Sequence, residues 1–202
     1  MNIRIEHRCQ FWAGIWYNKT YYINTYDLVL EMITNTEDYI DQNVSIERIK
    51  YMISSVFEHA VFINRDETAQ VKKLKKAGLS VVELPLDPVD QVVNIMLFCK
   101  LSAILDDKMI VHTSSLNSSA GDDIVFKHDF DDPIGVFADD EWWNENHPWA
   151  ENLEDPEASN VYYLETVQPW NDLELAWSAD QPKQQKHSAK IYHGNFKKNE
   201  TK

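Results

Sequence analysis

Residues able to do chemistry recur at three points where the chain passes from a β-rich run into a loop. They are Asn64, Arg65 and Asp66, then Asp87, then His112, Thr113, Ser114 and Ser115. Open α/β sheets bind ligands in the crevice outside the carboxyl ends of their parallel strands. In such a crevice His112 would serve as acid or base, Arg65 as an anion clamp and Asp66 as a further carboxylate. No GxGxxG, Walker loop or GxSxG turn accompanies them, and the chain holds only five glycines. Asp66 and Asp87 also suit helix N-caps, a role typically worth about 1 kcal/mol. His112, Arg65 and Asp66 are therefore the catalytic candidates, with no motif behind them.

A second constellation is acidic and aromatic. Trp142, Trp143, Trp149, Trp170 and Trp177 lie among Asp131, Asp132, Asp139, Asp140, Glu141, Glu145, Glu151, Glu154 and Asp155. Residues 127–180 hold one Lys and 15 Asp/Glu, whereas residues 1–126 hold 12 Lys/Arg and 17 Asp/Glu. Residues 181–202 reverse the sign, with six Lys and one Glu. The formal charge of −14 is thus regional. Aromatic side chains are enriched at binding hot spots, and a negative field steers basic partners. The expected partner-binding residues are Asp131, Asp132, Asp139, Asp140, Glu141, Trp142, Trp143, Glu145, Trp149 and Glu151, facing another protein with a basic surface. A nucleic-acid mimic is one form of this reading. In an extended chain, one net charge per four residues gives about 13 Å per charge, against about 1.7 Å on duplex DNA, so mimicry needs the acids gathered on one face. The bland counterpart is an irregular segment whose Trp residues anchor it to a core, with solvated acids between.

His128, Asp129, Asp131 and Asp132 offer oxygen ligands for Mg²⁺ or Ca²⁺, but the EF-hand spacing, HExxH and Cys/His zinc patterns are all lacking. The sequence thus predicts neither metal nor cofactor. Cys9 and Cys99 form no CxxC, which suits a reducing compartment, and Cys99 inside an apolar run reads as a packed thiol. Lys72, Lys73, Lys75 and Lys76 make a basic helix face, yet the overall charge disfavours direct nucleic-acid binding.

Positioning these groups requires a scaffold. Residues 2–23 alternate as strands, with a turn at Ala13-Gly14 or Asn18-Lys19. Thr25 then suits the cap of a short helix bearing Leu28, Val29, Met32 and Ile33. Ser45 suits the cap of another, bearing Ile46, Ile49, Met52, Ile53, Val56, Phe57 and Ala60. Strand and helix alternate from there: Ala60–Ile63, Thr68–Ala77 closed by Gly78, Leu79–Leu84, Asp87–Asp107, Met109–Thr113 and Ile124–Phe126. The Asp87–Asp107 run is apolar around most of its circumference and must be covered on more than one side. Its second half could instead pair with Met109–Thr113 as a hairpin, but its length and Asp-Pro start favour the helix.

The predicted fold is α/β. A small, mostly parallel sheet with a βαβαβ core carries an N-terminal antiparallel hairpin, two helices and an irregular acidic extension. The corresponding segments are 1–126, 127–180 and 181–202, with a strand at Val161–Val167 and a short helix at Leu173–Trp177. No signal peptide and no membrane span are expected, since Lys100 interrupts the best apolar run. The expected setting is the cytoplasm, or a virion for a viral protein. The leading expectation is an interaction or inhibitor protein acting through its acidic, Trp-rich segment. A structural component of a large assembly, and an enzyme using the strand-end crevice, are the alternatives.

Overall fold

The computed structural model describes residues 3–148 and 169–181. It is a mixed α/β fold around one six-stranded sheet, in the order β4-β3-β1-β2-β5-β6. The strands are β1 (Arg4–Tyr17), β2 (Thr20–Thr34), β3 (Val61–Asn64), β4 (Val81–Leu84), β5 (Met109–Ser118) and β6 (Phe126–Asp129). The helices are α1 (Tyr39–Tyr51), α2 (Thr68–Lys76), α3 (Asp90–Leu105) and the single turn α4 (Pro169–Asp172).

The sheet is mostly antiparallel, which corrects the expected mostly parallel one. Pairings β1–β2, β2–β5 and β5–β6 are antiparallel, and only β1–β3 and β3–β4 are parallel. A βαβ unit does exist in β3-α2-β4. The next crossover, however, does not add a neighbouring strand. Helix α3 carries the chain across β3, β1 and β2 and delivers β5 beside β2, so the expected βαβαβ core is interrupted by the hairpin.

That hairpin is longer than its sequence signals. Asn18 and Lys19 both have positive φ (50° and 61°) and Tyr17 faces Thr20, so the two form the turn. Gly14 remains within β1. The helix expected after Thr25 is instead the second half of β2. Tyr26, Leu28, Leu30 and Met32 are buried at period two while Asp27 and Glu31 face solvent. Leu28, Val29, Met32 and Ile33 also fit a helical stripe, but pairing with β1 on one side and β5 on the other fills the backbone hydrogen bonds.

Helix α1 starts earlier than expected. Asp38 is its N-cap, its Oδ1 accepting from the Ile40 N–H at 2.8 Å, while the Ser45 hydroxyl donates inside the helix to the Asp41 carbonyl at 2.8 Å. A π-helical turn, Met52–Phe57, continues α1. Helix α3 likewise begins at Asp90, with Val89 as its cap residue. The Asp87 carboxylate accepts from Asn64 Nδ2 at 2.9 Å, so it ties two strand ends together instead of capping. Asp66 does not cap α2 either, since Glu67 precedes its first turn.

Helix α3 is the centre of the core. Its faces pack against β5, β6, α1 and a 3₁₀ turn at Trp142–Asn144. The main cluster joins Phe11, Tyr26, Leu28, Leu30, Phe57, Phe62, Met96, Leu97 and Leu101 to Phe137, Trp142, Trp143 and Trp170. A smaller cluster of Val61, Ile63, Val71, Leu74 and Val81 seals α2 onto the opposite face of the sheet. The expected segment boundary after Phe126 falls inside β6, and the aromatic residues beyond it share the core of the residues before it. No described helix is long and apolar enough to cross a membrane.

Candidate functional site

Two buried cations explain how the acidic, aromatic segment is held. Lys100 is fully buried in α3, where a bare ammonium is strongly disfavoured. Its Nζ donates to the carbonyls of Trp142 (2.7 Å) and Glu145 (2.8 Å), the two ends of the 3₁₀ turn. Burial pushes the Lys100 amine down to about 7, partly opposed by the nearby Glu145 charge. A neutral amine still carries enough hydrogens for both bonds. The indoles complete the turn: Trp142 Nε1 donates to the Glu83 carbonyl at 3.4 Å and Trp143 Nε1 to the Phe137 carbonyl at 3.0 Å.

Arg48, on the buried face of α1, does the same for residues 169–181. Its guanidinium lies between the rings of Trp170 (4.4 Å) and Trp177 (3.7 Å). Nε donates to the Leu175 carbonyl at 2.9 Å, and Nη1 to the Ile104 carbonyl at 2.9 Å and Asn146 Oδ1 at 3.3 Å. Burial lowers the Arg48 pKa to about 10, opposed by the charges of Asp106, Asp180 and Asp41, so the group stays cationic at neutral pH. Trp177 Nε1 reaches Asp106 Oδ2 at 3.1 Å, and Ser178 bonds Asp41 and Asp38 at 2.7 Å each. Leu173–Trp177, expected to be a short helix, is instead irregular. The helical turn precedes it at Pro169–Asp172, because the residues that follow are fixed by Arg48 and α1 rather than by their own ladder.

With the indoles turned inward, the acids are left outside. Trp142 and Trp143 are 4% and 1% exposed, which makes them anchors and corrects their assignment to a contact surface. Asp131, Asp132, Asp139, Asp140 and Glu145 face solvent. Glu141 is half-buried and receives Arg65 Nη1 on both carboxylate oxygens, at 2.7 and 2.9 Å. Asp129 accepts from the Thr113 hydroxyl at 2.7 Å, and Asp132 from the Asp129 N–H at 3.0 Å. Between Asp129 and Asp131 in the chain stands Phe130, 58% exposed, with Val136 further on at 42%. Chain position alone does not reveal them. Phe130 follows β6, whose alternation puts His128 inward, and the loop then turns the phenyl out. Trp149 and Glu151, and the strand expected at Val161–Val167, lie outside the described residues.

The catalytic candidates are not brought together. β5 runs on to Ser118, so His112 sits near its start rather than at its carboxyl end. It is the extra residue of a bulge, with Thr113 opposite Glu31 and Val111 opposite Met32. Arg65 follows the carboxyl end of β3, beside Trp16 and Tyr17. Some ten residues of β1 separate the two positions, more than about 30 Å at roughly 3.3 Å per residue. Arg65 is held by Glu141, and Asp66 is exposed nearby. His112 lines a cavity of about 270 Å³ with Arg4, Ile5, Glu6, Glu31, Met32 and Ile33, remote from Arg65. Cys99 is buried and its thiol is pushed up to about 12 by desolvation, which leaves it unreactive at neutral pH. Among the described residues, no group of three or more His, Cys, Asp or Glu is placed to hold a metal ion.

Fold and surface together define a mixed α/β protein that carries an anchored acidic flank. Comparison with solved structures finds, among others, an uncharacterised protein of Wolinella succinogenes, 11% identical with a TM-score of 0.46 over 64% of this chain and 99% of that one. Another is the 6-pyruvoyl tetrahydropterin synthase of Plasmodium falciparum, 11% identical with a TM-score of 0.41 over 63% of this chain and 96% of that one. No family model and no curated protein matches the chain.

Proposed function

We propose that this is a partner-binding protein that presents the surface between Asp129 and Glu145 to a basic protein surface. The observation that carries the reading is Phe130, 58% exposed and flanked in the chain by the exposed Asp129, Asp131 and Asp132. An exposed apolar side chain flanked by charges suits a binding patch: the apolar group supplies desolvation energy and the charges steer and select. Burying a Phe side chain is worth roughly 1.5–3 kcal/mol. The indoles contribute from below, since Lys100, Trp142 and Trp143 hold the loop in place before any partner arrives and so reduce the ordering cost of binding.

Inhibition, with the partner a nucleic-acid-binding protein, is the more specific form of this proposal. What supports it is that Asp131, Asp132, Asp139, Asp140 and Glu145 all face solvent on one anchored segment. Phe130→Ala is expected to weaken binding to a captured partner by about ten-fold or more while leaving the melting temperature unchanged. Affinity capture followed by titration of the purified partner measures it. Equal affinity of wild type and Phe130→Ala would remove the patch from the reading. For the inhibitor form, duplex DNA should displace the captured partner competitively.

A further inference from the structure

The first half of β1 has a backbone edge that no described strand fills. The Thr34 N–H donates to the Ile3 carbonyl at 3.0 Å, so odd residues of β1 direct their amides to β2. Even residues point the other way. The Trp12 carbonyl accepts from the His59 N–H at 2.9 Å, and the Gly14 N–H donates to the Ala60 carbonyl at 2.8 Å, both on the β3 side. β3 pairs only with Gly14–Trp16. From Arg4 to Gln10 the outward N–H and C=O groups of Arg4, Glu6, Arg8 and Gln10 therefore meet no described strand, and all four side chains are exposed. Proteins usually blunt such an edge with prolines, bulges or short strands. This stretch has none of these, and its charges, the other common device, alternate in sign along Arg4, Glu6 and Arg8 and so suit a complementary edge.

We propose that this edge pairs antiparallel with the same edge of a second copy, about a two-fold axis at His7. A two-fold pairing must set even residues against even ones, which leaves only axes centred on a residue. The axis at His7 uses the whole edge from Arg4 to Gln10. It sets Glu6 against Arg8 twice and Arg4 against Gln10, so opposite charges meet on the outer face. An axis at Glu6 would set Glu6 on Glu6 and Arg4 on Arg8, and one at Arg8 would set Arg8 on itself. In the single chain Glu6 and Arg8 already pair at 2.7 Å, with side chains 50% and 72% exposed. Dimerisation exchanges that solvated contact for an alternating square of four charges. On the inner face the half-buried Ile5 meets the second copy's Cys9, extending the apolar layer across the junction.

Sedimentation analysis of the full chain tests this, with three variants. Wild type should be a dimer at on the order of 100 μM. Arg8→Glu sets Glu against Glu and should shift the protein to monomer with an unchanged melting temperature. The double swap Glu6→Arg with Arg8→Glu should restore the dimer. Ile5→Cys should give a disulfide-linked dimer through the second copy's Cys9 on mild oxidation. Within one chain these positions are four strand residues apart, roughly 13 Å, too far to bridge. A monomeric wild type, or an Arg8→Glu variant that dimerises unchanged, would overturn the proposal. So would a monomer whose Arg4–Gln10 amides are protected from exchange, since another part of the same chain would then fill the edge.

Discussion

Replacing Arg48 with Met is expected to destabilise the protein by about 3–5 kcal/mol, since hydrogen bonds from a charged donor are worth about 1.5–3 kcal/mol each and two cation–π contacts are lost with them. Arg48 is 2% exposed and holds the Leu175 and Ile104 carbonyls and Asn146 Oδ1 while its plane fills the gap between Trp170 and Trp177. Met restores volume but removes the donor from the Leu175 carbonyl and from the buried Ile104 carbonyl, leaving Asn146 Oδ1 with Trp170 Nε1. Arg48→Lys should recover little, because an ammonium can neither stack between two indoles nor present the same fork of donors. The readouts are the urea midpoint, a red shift of tryptophan emission and faster chymotrypsin cleavage at Trp170 and Trp177. A variant as stable as wild type, with unshifted emission, would mean that the segment is held by something other than Arg48.

The second large effect is pH-dependent and belongs to Lys100. Its amine is held at about 7 in the folded chain, against an ordinary value of about 10.4 when unfolded. Between those values the unfolded chain binds a proton that the folded chain does not, so stability rises with pH across that window. Below it both states are charged and the burial penalty is fully present; above it the penalty is gone. Lys100→Met removes this dependence, which amounts to on the order of a few kcal/mol across the window. It also leaves the Trp142 and Glu145 carbonyls unpaired, at about 1–3 kcal/mol each. Cys9 and Cys99, both pushed up by burial, act in the opposite sense above the ordinary thiol range. They are common to both proteins, so the difference between the two urea midpoints at pH 6.5, 8 and 9.5 isolates Lys100. The gap in stability should widen as pH rises. A constant gap would show that the amine keeps its proton throughout.

How far these features can be read from the chain depends on the range of the interactions behind them. The turn at Asn18-Lys19, the α2 helix closed by Gly78 and the apolar α3 helix are local, and their periodicity and turn chemistry are visible in sequence. The second half of β2 is not, because Leu28, Val29, Met32 and Ile33 satisfy both the helical and the strand period. Pairing decides between them, with β1 on one side and β5, about eighty residues later, on the other. The length of β5 matters in the same way. Ending it at Thr113 puts His112 in a crevice with Arg65, whereas its true end at Ser118 puts the two at opposite ends of the sheet. For the acidic segment, composition exposes the carboxylates but not the direction of the indoles. A signal was present all the same. Arg48 and Lys100 each sit among buried apolar residues of a helix, and a cation there requires a partner from elsewhere in the chain.

The claim on which the rest depends is that the anchored carboxylates, not the indoles, meet the partner. Asp131, Asp132, Asp139 and Asp140 can be changed together to Asn, which keeps shape while removing four charges from positions that face solvent. Association of this variant with the captured partner, measured by stopped flow at low and at physiological salt, tests the claim most directly. The expected result is a wild-type melting temperature, an association rate at least ten-fold slower at low salt, and little remaining salt dependence. Wild-type association with an undiminished salt dependence would contradict it.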